Sequence, residues 1–270
     1  MQPNSDKGMK IKEVLSALER FAPLPLQDGF DNAGLQVGLT EAEVSGALLC
    51  LDVTEAVLDE AISLGCNLVI SHHPLLFHAL KSISDRNYIE RCVMKALKHD
   101  VAIYSAHTNL DNAPEGVNWW MCQKLGIQNP VTLEPKVNAA VIGAGAGMIG
   151  ELPSSMNPET FLRLIKDTFK VGCVQYNNMC TVQKIQRVAL CGGAGAFLVN
   201  NAREQGADAF ITGEMKYHEF FGNNDLLVAV IGHYESEQYT QELLKNIIER
   251  AFPELTVRLT YVNTNPINYL

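Results

Sequence analysis

Apolar and polar positions along this chain follow two periodicities, one typical of helices and one typical of buried strands. Apolar side chains recur at helical spacing from Lys10 to Phe21, which predicts an amphipathic helix. A strand is predicted from Ala47 to Leu51, and Thr54 then serves as the N-cap of a helix from Glu55 to Leu64. Because strand-like and helix-like segments alternate, we expect an α/β fold with a largely parallel sheet.

The same pattern recurs after 141 residues. The matching positions are Leu49-Cys50 and Leu190-Cys191, Ile70 and Ile211, and Ser71 and Thr212. Each half reads as strand, loop, helix, glycine and strand, and later supplies an apolar strand that ends in His-x-x-x-acid. Strand-loop-helix-glycine-strand is common in α/β proteins, so a chance match is the alternative to a shared design.

If the repeat is a shared design, the chain forms two related α/β lobes. We expect one lobe over residues 1–132 and the other over residues 133–270, because Asn129-Pro130 and Glu134-Pro135 interrupt the pattern there. Ligands bind α/β sheets beyond the carboxyl ends of the strands. The expected site is therefore a cleft between the two lobes.

Composition and charge argue against a membrane protein and against a nucleic-acid-binding protein. The 270 residues are 47% hydrophobic and 19% charged, as in ordinary soluble proteins. Every apolar run is shorter than the roughly 18 residues of a membrane span, and the first eight residues are polar, so a cytoplasmic location is expected. The net charge of −9 and the lack of a lysine or arginine cluster argue against nucleic acid as the main partner. An anionic small molecule remains compatible if metal ions supply local positive charge.

The chain contains seven cysteines, mostly in apolar contexts. Their number is odd and no C-x-x-C motif occurs. We expect reduced, buried cysteines that act as small apolar residues.

Five side chains that bind divalent metals lie just beyond apolar, strand-like runs. They are His72, His73, Asp111, His233 and Glu237. Imidazole and carboxylate together suit zinc, iron, manganese, cobalt or nickel, and five ligands are too many for one tetrahedral ion. The sequence therefore predicts two metal ions. The alternatives are solvent-facing loop histidines at 72 and 73, and capping or core histidines elsewhere.

His107 lies four residues before Asp111, as His233 does before Glu237. Positions four apart share one face of a helical turn, so each pair can point at one centre. His107 is a further candidate ligand, and its other predicted role is to orient Asp111 or to act on substrate.

Further candidate chemistry follows the strands of the second half. Glu214, Lys216 and His218 gather titratable groups that could move protons or pair with a phosphate, although an ordinary polar loop is the alternative. Gly193 and Gly195 begin a helix-like stretch, where their amides could bind an anion or simply allow close packing. The run Gly145 to Gly150 matches G-x-G-x-x-G, but no helix pattern follows, so we interpret it as a turn between strands.

Five motifs in this order resemble one known family. They are Phe30-Asp31-Asn32-Ala33-Gly34-Leu35, Ser71-His72-His73-Pro74-Leu75, His107-Thr108-Asn109-Leu110-Asp111, Thr212-Gly213-Glu214-Met215-Lys216-Tyr217-His218 and His233-x-x-x-Glu237. From about Met9 to the C-terminus the chain resembles the Nif-three-like dinuclear-metal family, whose members are often labelled GTP cyclohydrolase 1 type 2 homologues. Phe30 stands where the family usually has Trp, and we expect it to keep an apolar packing role.

The resemblance implies a two-lobed subunit of a toroidal homohexamer with two divalent metal ions in a cleft. It carries the ligand roles onto the five residues named above, with Glu237 as the bridge between the ions. Two functions follow as hypotheses. One is a metal-dependent hydrolase that acts on a nucleotide as a GTP cyclohydrolase or a phosphoesterase. The other is a non-catalytic metal-binding ring that regulates or recruits a protein.

Overall fold

The computed structural model describes residues 8–137, 139, 141–178 and 180–270, so most of the polar N-terminal stretch lies outside the described residues. The helices are α1 (Ile11–Phe21), α2 (Glu55–Ser63), α3 (Tyr88–Lys98), α4 (Thr108–Asp111), α5 (Val117–Leu125), α6 (Pro158–Phe169), α7 (Val199–Glu204), α8 (His233–Glu237) and α9 (Thr240–Ala251). The strands are β1 (Gly34–Val37), β2 (Ala47–Cys50), β3 (Leu68–Ser71), β4 (Ala102–Ser105), β5 (Gln128–Pro135), β6 (Gly145–Met156), β7 (Gln175–Tyr176), β8 (Ile185–Cys191), β9 (Ala209–Thr212), β10 (Leu227–Val230) and β11 (Val257–Leu259).

The predicted helices and cap of the N-terminal region are confirmed. α1 buries Ile11, Val14 and Leu18 on one face, as their helical spacing predicts. At the start of α2, the Thr54 hydroxyl accepts a hydrogen bond of 3.3 Å from the amide of Val57. This bond satisfies one of the amides that a helix leaves without an internal partner.

The chain packs as two compact units, each built from more than one stretch. The first contains residues 1–110 and 240–264, and the second contains residues 111–239 and 265–270. This division differs from the single boundary predicted between residues 132 and 133. One reason is α9, which follows the second half of the sequence but packs on α1, β2 and β11 in the first unit. The other is α5, which precedes the predicted boundary but packs on β6, β8 and α6 in the second unit.

The segment near residue 130, where a boundary between lobes was predicted, forms a strand. β5 covers residues 128–135 and pairs with β6, with a register shift between Gln128 and Val131. β5 lies at the edge of its sheet, where proline is tolerated because one side of the strand needs no ladder hydrogen bonds. Pro130 therefore marks an edge strand and not a linker.

The first unit is built on a sheet with the strand order β1-β4-β3-β2-β11. Strands β2, β3 and β4 are parallel, and every residue in them is buried. Helices α2 and α3 contribute Val57 and Val93 to the apolar core that contains Val69 and Ile103. Uninterrupted apolar runs of this kind are what a parallel sheet covered on both faces requires.

The second unit is built on a sheet with the strand order β5-β6-β8-β9-β10-β7. Strands β8, β9 and β10 are parallel, and their core contains Phe161 and Phe169 of α6. The glycines 145, 147 and 150 lie within β6, so the predicted turn there is wrong. A Cβ on Gly150 would lie 2.6 Å from Cγ2 of Ile127, which shows that close packing against the strand requires this glycine.

Equivalent strands in the two sheets pair in the same register. Ala47 pairs with Leu68 between β2 and β3, and Val188 pairs with Ala209 between β8 and β9. Both partners of the second pair lie 141 positions after those of the first, so the sequence offset reappears as equivalent strand pairing. The expected mixed α/β fold with two sheets is confirmed.

Two expectations concern membrane insertion and cysteines. Among the described residues, no helix combines the length and apolar character needed to span a bilayer. All seven cysteines, which lie in the described ranges, are thiols, and five of them are buried. Cys180 is partly buried and Cys173 is exposed, so burial was wrongly predicted for Cys173.

Candidate metal centre

Three histidines of the first unit meet where two neighbouring strands end. His72 and His73 follow β3, and His107 follows β4 by two residues. Their ring centroids are 4.9 to 5.5 Å apart. One ring nitrogen from each lies within 4.8 Å of the others, close enough to bind a common metal ion. We call these residues the first ligand set.

The backbone of the first ligand set is fixed by the sheet. The amide of His73 donates to the carbonyl of Leu51 at 2.9 Å, which extends the pairing of β2 and β3 past the strand ends. The Ser71 hydroxyl donates to the carbonyl of His73 at 2.8 Å and also contacts the Ser105 hydroxyl at 2.8 Å. These bonds hold both adjacent imidazoles on a rigid support, as a metal site requires.

Each imidazole in the first ligand set is held through Nδ1. The Nδ1 atoms of His72, His73 and His107 lie 2.8 Å from the Ala106 carbonyl oxygen, 2.8 Å from Oδ1 of Asp52 and 2.7 Å from Oδ1 of Asp31, respectively. Carbonyl and carboxylate oxygens accept hydrogen bonds, so Nδ1 carries the proton in all three rings. In the neutral ring the lone pair is then on Nε2, which is the arrangement of metal-binding histidines held by outer carboxylates.

The two outer aspartates are ionised at neutral pH. Burial raises the pKa of Asp31, but hydrogen bonds from His107 and Thr108 outweigh it and lower this pKa to about 2. Burial likewise opposes ionisation of Asp52, yet the hydrogen bond from His73 lowers its pKa below the usual range. The Thr264 hydroxyl donates to the other carboxylate oxygen of Asp52 at 2.9 Å.

The roles of Asp31 and Asp52 were missed by the sequence reasoning. Asp31 stands in one of the motifs that carry the family resemblance, and Asp52 follows β2 just as His73 follows β3. A polar residue at the end of the neighbouring strand was the available signal.

A second ligand set lies in the second unit, on and beside α8. His233 and Glu237 are one helical turn apart, and Nε2 of His233 lies 3.1 Å from Oε2 of Glu237. Two ligands at about 2.1 Å from one ion lie roughly 3.0 to 3.4 Å apart at octahedral to tetrahedral angles. The observed distance therefore fits one shared ion.

Glu214 supports the second ligand set from outside. Its Oε1 lies 2.9 Å from Nδ1 of His233, so it holds this imidazole as the aspartates hold His73 and His107. This contact gives Glu214 an orienting role beside the proton-moving role that the sequence predicts. All four histidines thus have Nδ1 engaged, and the chemistry of the donors fits divalent metal ions.

The glycine loop after β8 packs against Glu237. A Cβ on Gly193, whose φ is +58°, would lie 2.3 Å from Oε1 of Glu237. The amides of Gly193 and Gly195 donate to the hydroxyls of Ser236 and Thr212, at 2.9 and 3.0 Å. Because these amides are used within the protein, the contacts favour close packing over the anion-binding role that was predicted as one alternative.

The remaining predicted residues are Asp111, Lys216, His218 and Phe30. Asp111 is the last residue of α4 and the first residue of the second unit, and it is partly buried. Its backbone carbonyl accepts a hydrogen bond of 3.2 Å from the Asn118 side chain. Lys216 and His218 are exposed beyond β9, and the His218 ring lies 5.2 Å from the ring of Tyr217. Phe30 packs against Phe77, with ring centroids 6.3 Å apart, but 67% of the side chain is exposed.

A pocket of about 560 Å³ lies beside His233 within the second unit. The side chains that define its chemistry are Glu214, Lys216, Phe197, Ile267 and Tyr269. Its volume is within the range of small-molecule sites in proteins.

Comparison with known proteins agrees with the fold and with the sequence motifs. The profile of the Duf34/NIF3 (NGG1p interacting factor 3) family matches residues 9–266. A GTP cyclohydrolase 1 type 2 homolog from Clostridium acetobutylicum is 34% identical over 254 residues, which cover 93% of each chain. NIF3-like protein 1 from Drosophila melanogaster is 32% identical over 98% of this chain and 90% of its own.

Solved structures extend this agreement to three dimensions. A Staphylococcus aureus hypothetical protein superposes with a TM-score of 0.89 at 28% identity, over 98% of this chain and 100% of its own. A Bacillus cereus protein related to NIF3 superposes with a TM-score of 0.87 at 25% identity, with the same coverage. The chain therefore belongs to the Duf34/NIF3 family.

Proposed function

We propose that this protein is a hydrolase that depends on two divalent metal ions and acts on a small anionic substrate such as a nucleotide. The proposed metal ligands are His72, His73, Asp111, His233 and Glu237, with Glu237 as the bridge. His107, which lies with His72 and His73, is proposed to act on the substrate. The observation that carries the proposal is the engagement of Nδ1 in every histidine of both ligand sets. This pattern prepares Nε2 for metal, because an imidazole that carries its proton on Nδ1 has its lone pair on Nε2.

The chain's own groups have defined roles in this proposal. Bound divalent ions supply a Lewis acid and lower the pKa of a water molecule towards neutrality. Asp31, Asp52 and Glu214 keep the imidazoles in the metal-binding tautomer. Lys216 binds the negative charge of the substrate, and His218 is the candidate for proton transfer to the leaving group.

The relatives guide the choice of substrate and assembly. Because relatives in this family carry the name GTP cyclohydrolase 1 type 2 homolog, GTP is the first nucleotide to test. The family resemblance also supports a homohexameric ring in the cytoplasm. The alternative function, a metal-binding ring that recruits a protein, is supported by the family description as an NGG1p interacting factor.

The metal assignment is tested by elemental analysis of the purified chain. We expect two metal ions per wild-type chain and a lower content in His73→Ala and Glu237→Ala, with unchanged far-UV circular dichroism. His99→Ala is the matched control, because His99 is an exposed residue that ends α3. Two ions per chain in both ligand variants would refute the assignment.

The hydrolase assignment is tested by loading the protein with manganese, zinc or iron and supplying GTP or phosphoesters. Formate release from GTP would identify a cyclohydrolase, and phosphate or alcohol release would identify a phosphoesterase. We expect Glu237→Gln to abolish either activity. Turnover that survives this substitution would come from a contaminant, and a fully metal-loaded protein inactive on both substrate classes would favour the recruitment function.

A further inference from the structure

The pocket beside His233 presents two aromatic rings to solvent. Phe197 is 62% exposed and Tyr269 is 48% exposed, and both line this pocket. Large apolar rings exposed inside a concave site are the usual means of binding the flat face of a ligand, since stacking and apolar burial reinforce each other.

Tyr269 is held in place by its own segment. Its ring packs over Gly172, and its hydroxyl lies beside Gly232, the residue before His233. The Asn265 side chain donates to Oε1 of Glu235 at 2.9 Å and accepts a 3.0 Å hydrogen bond from the amide of Ile267. These contacts hold the segment from which Ile267 and Tyr269 line the pocket.

Within the described part of the chain, one cationic side chain lines the pocket, together with two carboxylates. Of the described residues that line it, Lys216 is the one lysine or arginine. The two acidic residues of the lining have other contacts, because Glu214 holds His233 and Glu219 accepts the amide of Lys216 at 2.8 Å. The exposed Lys216 ammonium is therefore available to pair with a ligand carboxylate or phosphate.

We propose that this pocket binds a planar aromatic ring that carries an anionic group, with the ring against Tyr269 and Phe197 and the anion at Lys216. This inference rests on the proposed function, because it gives the substrate class of the same site. It adds Tyr269 and Phe197 as substrate-binding residues, and it places the bound molecule next to the metal ligand His233.

The experiment is a calorimetric titration of the metal-loaded, full-length chain with simple probes. Phenyl phosphate and benzoate each carry a ring and an anion, whereas glycerol 3-phosphate lacks the ring and benzyl alcohol lacks the charge. We expect one of the aromatic anions to bind at least tenfold more tightly than glycerol 3-phosphate and benzyl alcohol. Tighter binding of phenyl phosphate identifies phosphate as the anion, and tighter binding of benzoate identifies carboxylate.

Substitutions then separate the two parts of the pocket. Tyr269→Leu keeps an apolar side chain but removes the ring face. We expect it to lower the affinity for the aromatic anion at least fivefold and to leave the affinity for glycerol 3-phosphate unchanged. Lys216→Gln should weaken the binding of the aromatic anion and of glycerol 3-phosphate, and it should leave the binding of benzyl alcohol unchanged. The matched controls are Tyr261→Leu and Lys98→Gln, at exposed positions in the first unit.

Equal affinity for phenyl phosphate, benzoate and glycerol 3-phosphate would overturn the inference, as would wild-type binding by Tyr269→Leu. Its failure is distinguishable from failure of the proposed function. Ring-dependent binding without turnover would support the pocket assignment and refute the hydrolase. Metal-dependent turnover with an unchanged KM in Tyr269→Leu and Lys216→Gln would support the hydrolase and refute the pocket assignment.

Discussion

The Nδ1 atom of His73 lies 2.8 Å from Oδ1 of Asp52, and the two residues follow neighbouring parallel strands. An aspartate at the end of β2 thus fixes the tautomer and direction of an imidazole at the end of β3. The second oxygen of Asp52 accepts a hydrogen bond from Thr264, so the carboxylate itself cannot rotate freely. The sheet positions the ligand and its support at the same time.

Removal of this support should weaken metal binding without unfolding the chain. We expect Asp52→Ala to lower metal affinity about 10- to 100-fold, the effect typical of lost outer-shell partners. Asp52→Asn retains an oxygen that can accept from Nδ1, so its effect should be smaller. Competition with a fluorescent zinc chelator measures the metal affinity of both variants. Equal affinity in Asp52→Ala and wild type would show that Asp52 does not support a metal ligand.

The glycine beneath Glu237 provides a steric test of the second ligand set. Gly193→Ala would place a methyl group 2.3 Å from Oε1 of Glu237, which must move away. Gly206→Ala is the matched control, because Gly206 also has a positive φ but has no neighbouring atom within 4 Å of the added carbon.

Both glycine substitutions should cost about 1 to 2 kcal/mol of folding stability for the left-handed backbone. Only Gly193→Ala should also lose bound metal. Elemental analysis with thermal denaturation separates the two effects, and full metal content in Gly193→Ala would mean that Glu237 is not a ligand.

Glu90 makes stability depend on pH. Hydrogen bonds from the hydroxyl and amide of Ser84 lower its pKa against the opposing effect of burial, and Asn87 adds a bond of 2.9 Å. A lowered folded-state pKa stabilises the fold above the unfolded value of about 4.3, and this contribution disappears as the pH falls through the folded value.

We therefore expect Glu90→Gln to lower the thermal midpoint at pH 7, with a difference from wild type that shrinks below about pH 4. The exposed Glu254→Gln serves as the control. Thermal melts at several pH values measure the effect, and a difference independent of pH would assign it to lost packing.

The cysteines should differ sharply in reactivity. Burial raises the pKa of Cys92 to about 11 and that of Cys122 to about 12, whereas Cys173 is exposed. Because the thiolate is the reactive form, an aromatic disulfide reagent at pH 8 should modify Cys173 first and the buried cysteines only after denaturation. Cys173→Ser should remove the fast phase; persistence of that phase would show that another thiol is accessible in the native chain.

Sequence patterns predicted the elements whose signals are local. The helix from Ile11, the cap at Thr54 and the strand from Ala47 depend on side-chain spacing and on one hydroxyl, and each is present. The apolar run that precedes them also placed His72 and His73 directly after a strand. These features depend on few long-range contacts, so a single sequence suffices to predict them.

The remaining features depend on partners distant in sequence. Asp31 holds His107 across 76 positions, and no local pattern indicates such a pairing. The docking of α9 in the first unit and the edge position of Pro130 likewise depend on which surfaces meet. Gly193 could be interpreted either as an anion site or as a packing residue until its distance to Glu237 was known.

The shared register of the two sheets places His73 and Glu214 at equivalent backbone positions, two residues after the equivalent strand residues Ser71 and Thr212. One position thus carries an imidazole in the first sheet and, in the second, the carboxylate that holds an imidazole. The same backbone position therefore supplies a candidate metal donor in one sheet and the outer support of a donor in the other. The scaffold fixes where a side chain is presented, and the side-chain type decides whether that group binds the metal or holds the residue that does.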